Sequence, residues 1–288
     1  MSRTPIPALL SFASFRLDVL LSMDASVRTH PVAVAKAKAL QATTGTYVVY
    51  ISDRDGIFQH HSPYNVCYAY FLQPGTPQDD LTIGVDAAMS IPIGATKEPH
   101  VSGRKPLQPT SQLPWGAECY TMEAWFMPLR GPTMYESDDN VTHELPISEA
   151  IRHSSYVRED YAARRRRRQL DVPGAVAAQD ATPGEGDSAD SDADASADGS
   201  GDTGSIPSTS NDTDYTPDDD VKLVAQHLFM PCDIDEINMM TGTFSHDISR
   251  ISKLRSPELF REEMTAIYRL EREVHALVVA EAEASCHG

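Results

Sequence analysis

The chain has 288 residues, enough for one large or two modest domains, and a net charge of −18. That charge is not spread evenly. The segment Asp171–Asp220 holds 14 acids and no Lys or Arg, whereas the remainder holds 28 acids against 24 basic residues. The acidity belongs to one tract, which argues against a generally nucleic-acid-binding protein. The nearly neutral remainder carries most of the Leu, Ile, Val and aromatic residues and can bury a core.

No run reaches the roughly 18–20 apolar residues that span a bilayer. Ile6–Phe15 has the length of a signal-peptide apolar region. It contains Pro7, however, and Arg16 and Asp18 close it. It reads as folded structure. Ser2 and the spacing after Cys286 argue against lipid anchors. Cys67, Cys119, Cys232 and Cys286 form no C-x-x-C pair, so free thiols in a reducing compartment are expected. A disulfide between Cys67 and Cys119, both in strand-like text, stays open. The expected setting is intracellular, nucleus or cytoplasm, neither secreted nor transmembrane.

The first 45 residues look helical. Pro31–Gly45 opens on Pro, is rich in Ala and ends at Gly, the asymmetry of a helix with Pro at its first turn and Gly past its end. The period then changes. Thr46–Ile51 is β-branched and aromatic, and Asp55-Gly56 follows as a hairpin signal. Asn65–Leu72 is nearly all apolar, as in a strand buried on both faces. Leu81–Ala87 alternates, and Glu118–Met127 reads as another strand. The loop Thr96–Pro114, with four prolines, is long and irregular.

Ile147–Leu170 reads as one helix with a thin apolar face of Ile147, Ile151, Val157 and Tyr161, so it is expected to lie exposed. The Asp/Ser/Ala/Gly-rich text of 171–215 lacks the apolar residues to offset the entropy of ordering and is expected to be a disordered linker. Helical text resumes at Thr216 and Pro217, with acids in the first turn. Asp233…Glu236 resembles a capping box, with Gly242 as its helix stop. Ser256 and Pro257 open a last helix. There Phe260, Ile267, Leu270, Val274 and Leu277 fall at a/d spacing, interrupted by Glu263. That stripe packs within its own lobe or, as the second choice, forms a weak homodimer face.

The expected fold class is therefore α+β. A helical arm and a mostly antiparallel β-rich domain fill 1–146, a basic helix 147–170, an acidic linker 171–215 and a small helical lobe 216–288. An alternative keeps the two ends in one fold with the tract as an insertion.

Few motifs promise chemistry. Gly199–Gly204 fits G-x-G-x-x-G, but Ser, Thr and Asp text surrounds it where a strand and a helix are required, and the acids would repel a phosphate. Asp190–Ala195 imitates a calcium loop but has Ala195 and Gly201 where Gly and Glu belong. No cofactor is implied. His60, His61 and Cys67 are weak metal candidates without a second ligand pair, and no metal is expected. The same three residues and Glu123 define the rival reading, an enzyme pocket in the β-rich domain. His100, His143 and Cys119 are outlying candidates for that pocket. Ser191 and Thr209, each with Asp three residues on, are candidate phosphosites.

The most distinctive feature is the run Arg164–Arg168 beside the acidic tract. It reads as a nuclear address, as a weak nucleic-acid or polyanion contact, or as a helix end whose partner is the tract itself. Five phosphate contacts would give a log–log salt slope of about −4.5 at most. The expected function is a non-enzymatic interaction or regulatory protein with an unidentified protein partner and no membrane contact.

Overall fold

The computed structural model describes residues 3–56, 61–80, 84–95, 98–115, 118–137, 142–170 and 239–286. The acidic tract, Ser191, Thr209, His60 and the helical text from Thr216 lie outside them. The described body is α+β, with ten strands and three helices. The strands are β1 (Arg3–Ile6), β2 (Phe12–Leu17), β3 (Thr46–Arg54), β4 (Tyr64–Phe71), β5 (Gln73–Pro74), β6 (Ile91–Ile93), β7 (Cys119–Thr121), β8 (Phe126–Pro132), β9 (Met134–Ser137) and β10 (Met240–Ser245). The helices are α1 (Pro31–Gln41), α2 (Ile147–Leu170) and α3 (Pro257–Cys286).

Five strands close a barrel in the order β10-β2-β3-β4-β8. Four of its pairings are antiparallel, and β10 closes it by running parallel to β8, with Met240 opposite Leu129 and Thr241 opposite Arg130. Alternate residues point inward, as the two-residue strand period requires. Phe15 and Leu17 from β2, Tyr47, Val49 and Ile51 from β3, and Cys67, Ala69 and Phe71 from β4 fall in one buried cluster. Helix α3 adds Phe260, whose ring centroid lies 4.5 Å from that of Phe71 and 5.2 Å from that of Tyr47. The opposite faces of β2 to β4, carrying Phe12, Val48, Tyr50 and Tyr70, form a second cluster. That cluster is covered by β6, the loop through Leu107 and Leu113, and part of α2. Strand β3 is thus enclosed on both sides, which explains its unbroken apolar text.

Several expectations change. The first 45 residues are not one helical arm. Only Pro31–Gln41 is helical, and Phe12–Leu17 is a barrel strand, because its alternate residues have β3 and β10 to pair with. Residues Gly84–Ala87 do not continue a strand; Gly84 has φ 70° and a 3-10 turn begins at Ala87. Glu118–Met127 is broken into β7, a 3-10 turn at Glu123–Trp125 and the start of β8.

The described C-terminal residues, 239–286, pack with the barrel. Strand β10 completes the barrel, α3 packs into its cluster, and Pro231–Gly288 belongs to the same compact unit as Met1–Arg168. Gly242 is not a helix stop but a mid-strand residue of β10. A Cβ there would collide with the Arg16 carbonyl and the Phe15 ring. Cys67 and Cys119 are both free and buried, and they lie in different clusters.

Gly242→Ala forces β10 away from the Arg16 carbonyl and Phe15 ring of β2. We expect a stability loss of about 1–3 kcal/mol, the usual range for overpacking, read as a lower urea midpoint with little change in slope. An unchanged midpoint would show that the closure has slack.

Candidate functional site

The described residues of most chemical interest gather along α2. The helix begins after Pro146, whose carbonyl accepts from Glu149 and Ala150. Glu149 in the first turn and the arginines in the last both complement the helix dipole. Helical spacing of three and four then divides the side chains between two faces.

The inward face is mostly polar. Glu149 accepts from the Gln108 amide at 2.8 Å, and Arg152 donates to the Pro106 carbonyl at 2.9 Å. His153, 1 % exposed, lies against the Tyr50 and Tyr70 rings at centroid distances of 5.0 and 4.7 Å. Its Nε2 is buried without a hydrogen-bond partner among the described residues. Burial pushes its pKa down to about 3, so the ring is neutral in the fold.

Two turns further, Asp160 receives a bidentate pair of bonds from Arg104 at 2.6 and 2.8 Å. The same guanidinium sits 4.8 Å over the Tyr156 ring. Arg164 pairs with Glu123. Arg167 reaches Asp86 at 2.9 Å. The Ala88 N–H and Arg167 together hold the Asp86 carboxyl below the usual range.

The outward face carries the residues that the sequence marked as apolar. Ile147, Ile151 and Tyr161 are 71 %, 66 % and 57 % exposed. Of the expected apolar face only Val157 is partly buried against the second cluster. The helix is exposed as expected, but the face that it buries is the polar one.

The arginine run is therefore divided. Arg164 and Arg167 are tied to carboxylates of the barrel's surroundings, whereas Arg165 and Arg166 face outward. The side chain of Arg168 lies outside the description. With two of the five committed, the salt-slope ceiling for the run falls to about −2.7.

The rival pocket is not assembled among the described residues. Cys67 is enclosed in the barrel cluster, and burial raises its thiol pKa far above the usual range. His61 is exposed in a turn, and Glu123 is occupied by Arg164. Among the described residues no three His, Cys, Asp or Glu side chains group as metal ligands.

His143 Nδ1 meets Ser111 Oγ at 2.7 Å. His100 Nε2 lies 2.8 Å from Ser90 Oγ, a spacing that could suggest an activated serine. The other bonds decide otherwise. Ser90 Oγ–H donates to the Ala87 carbonyl at 2.6 Å, and the Ser102 N–H donates to His100 Nδ1. His100 Nδ1 also lies 2.6 Å from Ser102 Oγ, and the Ser90 hydroxyl hydrogen is already given to the Ala87 carbonyl rather than to the imidazole. Ser90 is also fully buried.

The stripe on α3 is largely internal. Phe260, Ile267, Leu270 and Val274 are buried in the barrel cluster, and Leu277 is exposed. Glu263, which interrupts the stripe, is its polar anchor. Its Oε1 accepts from the Gly45 N–H, the Tyr47 hydroxyl and Arg255.

Sequence reasoning missed Arg104, Asp160 and His153. The helical spacing of 153, 160, 164 and 167 was available as a signal, but apolarity pointed to the opposite face. Compared with family models, curated proteins and solved structures, the chain matches none.

Two outcomes follow for stability. Asp160→Ala leaves the buried Arg104 only the exposed Glu159 carboxylate at 3.5 Å and should lose about 3–5 kcal/mol, whereas Arg104→Met combined with Asp160→Leu should be nearly neutral. Urea denaturation separates the two, and equal losses would mean that shape rather than charge holds the contact. For His153, the folded pKa is lowered below the unfolded value of about 6.5. Stability is then fully present above about pH 6.5 and falls as the pH drops from there toward 3, by at most about 1.4 kcal/mol per unit. His153→Phe should flatten that decline in urea midpoints between about pH 6.5 and 4 relative to wild type. Parallel curves would show that other groups set the acid limit.

Proposed function

We propose that the protein is a non-enzymatic interaction or regulatory protein whose contact element is α2. One observation carries this reading: the arginine run spends Arg164 and Arg167 on its own fold and turns Arg165 and Arg166 outward. The inner half of the run fixes the helix, and the outer half offers always-charged donors for a partner. Two of the four residues of the rival pocket, Cys67 and Glu123, are engaged elsewhere. Glu123 and Asp160 hold arginines, and Cys67 is sealed in the core. A nuclear location belongs to the same proposal, with the outward arginines as its address.

The test compares wild type with Arg165→Ala combined with Arg166→Ala. Both are expressed with a tag in source cells, cross-linked for partner capture and imaged. The variant should lose a defined set of cross-linked proteins and part of its nuclear signal. Identical partners and the same cytoplasmic distribution for both chains would reject the reading.

A further inference from the structure

We infer that the outer face of α2 docks an acidic segment of a partner protein that carries apolar residues at helical spacing. This rests on the interaction reading above and names the chemistry of the partner. Ile147, Ile151, Ser154, Arg158, Tyr161 and Arg165 follow one another by three or four residues and form one stripe about 27 Å long. Ile147, Ile151 and Tyr161 are three of the four most exposed large apolar side chains in the described body.

The stripe contains no acid. Its Arg158 and Arg165, with Arg166 on its flank, make no ion pair among the described residues. Among the described side chains the other charged groups of α2 are paired: Glu149 with Arg152, Glu159 and Asp160 with Arg104, Arg164 with Glu123 and Arg167 with Asp86. The helix therefore has a neutralised side and a basic side, and its apolar residues are on the basic side.

That combination selects the occupant. A face that is both apolar and basic matches an amphipathic segment with carboxylates beside its apolar positions, the helix-in-groove or helix-on-helix mode of recognition. Charge complementarity sets register and encounter rate, and burial of the isoleucines supplies affinity. Nucleic acid fits less well. It would use the three arginines but gain nothing from Ile147 and Ile151, and phosphate contacts rather than apolar ones dominate such interfaces.

The test uses the full chain and three fluorescein-labelled probes in about 0.15 M salt. One is a short peptide of glutamates with leucines at i and i+4 spacing. The second has every leucine changed to serine. The third is a short DNA duplex. Fluorescence anisotropy should show that the leucine peptide binds and that the serine peptide is weaker by roughly tenfold or more. Ile147→Ser with Ile151→Ser, and separately Arg165→Glu with Arg166→Glu, should each weaken the leucine peptide by roughly tenfold or more, at unchanged urea midpoint.

Equal binding of the serine peptide or the duplex, indifferent to the isoleucine changes, would reduce the face to a plain polyanion contact and overturn the inference. Binding that appears only when residues 171–220 are deleted would make the chain's own acidic tract the occupant and overturn it as well. Failure of all three probes overturns it too. If cross-linked partners still depend on Arg165 and Arg166 in that case, the interaction reading survives and only this partner chemistry falls.

Discussion

The pairing of Met240 and Thr241 with Leu129 and Arg130 is the contact on which the rest of the structure depends. It is short and parallel, and it joins a strand from the far end of the chain to β8. Without it β10 and β8 would each present an open edge, with unpaired N–H and C=O groups. With it the sheet closes, and the inward side chains of β2, β3, β4, β8 and β10 share one enclosed core. Gly131 and Gly242 permit the closure, because the Phe244 and Phe15 rings occupy the space where their Cβ atoms would lie. Phe260 of α3 then completes the aromatic packing against Phe15, Tyr47 and Phe71.

Closure creates a second demand. The outward faces of β3 and β4 carry Val48, Tyr50 and Tyr70, and these need cover. Strand β6, the Leu107 and Leu113 loop and α2 supply it. Helix α2 has too few apolar residues on its inner side to hold by burial alone. It is held by directed contacts instead: Glu149 to the Gln108 amide, Asp160 to Arg104, Arg164 to Glu123 and Arg167 to Asp86. A bidentate arginine–carboxylate pair fixes geometry in a way that an apolar contact does not. This frees the helix from using its isoleucines, and they remain at the surface beside arginines that pair with none of the described residues.

Much of the secondary structure was legible. The span of α2 follows from the change of period after Pro146, and β3 and β4 follow from their β-branched and aromatic text. Strands β2 and β10 were not legible, for a shared reason. Each is six residues long and takes its partners from distant sequence, β2 from β3 and β10, β10 from β2 and β8. Local text around β2 resembles an apolar helix, and Gly242 in β10 imitates a helix end. The break at Glu123–Trp125 within strand-like text escaped notice because it serves to place Glu123 under Arg164. Glu263 looked like a flaw in an apolar stripe because its donors, Gly45 and Tyr47, come from the other end of the chain.

By itself the sequence determined the α+β class, the helix from Ile147 to Leu170, the strand text of β3 and β4, and the confinement of the acidity to one tract. These depend on composition and on periods of two and 3.6 residues, which are local properties. The tertiary structure alone decided that the two ends of the chain share one barrel, that α2 buries its polar side and exposes its apolar one, and that Arg164 and Arg167 are anchored while Arg165 and Arg166 face outward. Those outcomes depend on which carboxylates and strand edges come within a few ångströms, and no local period records that.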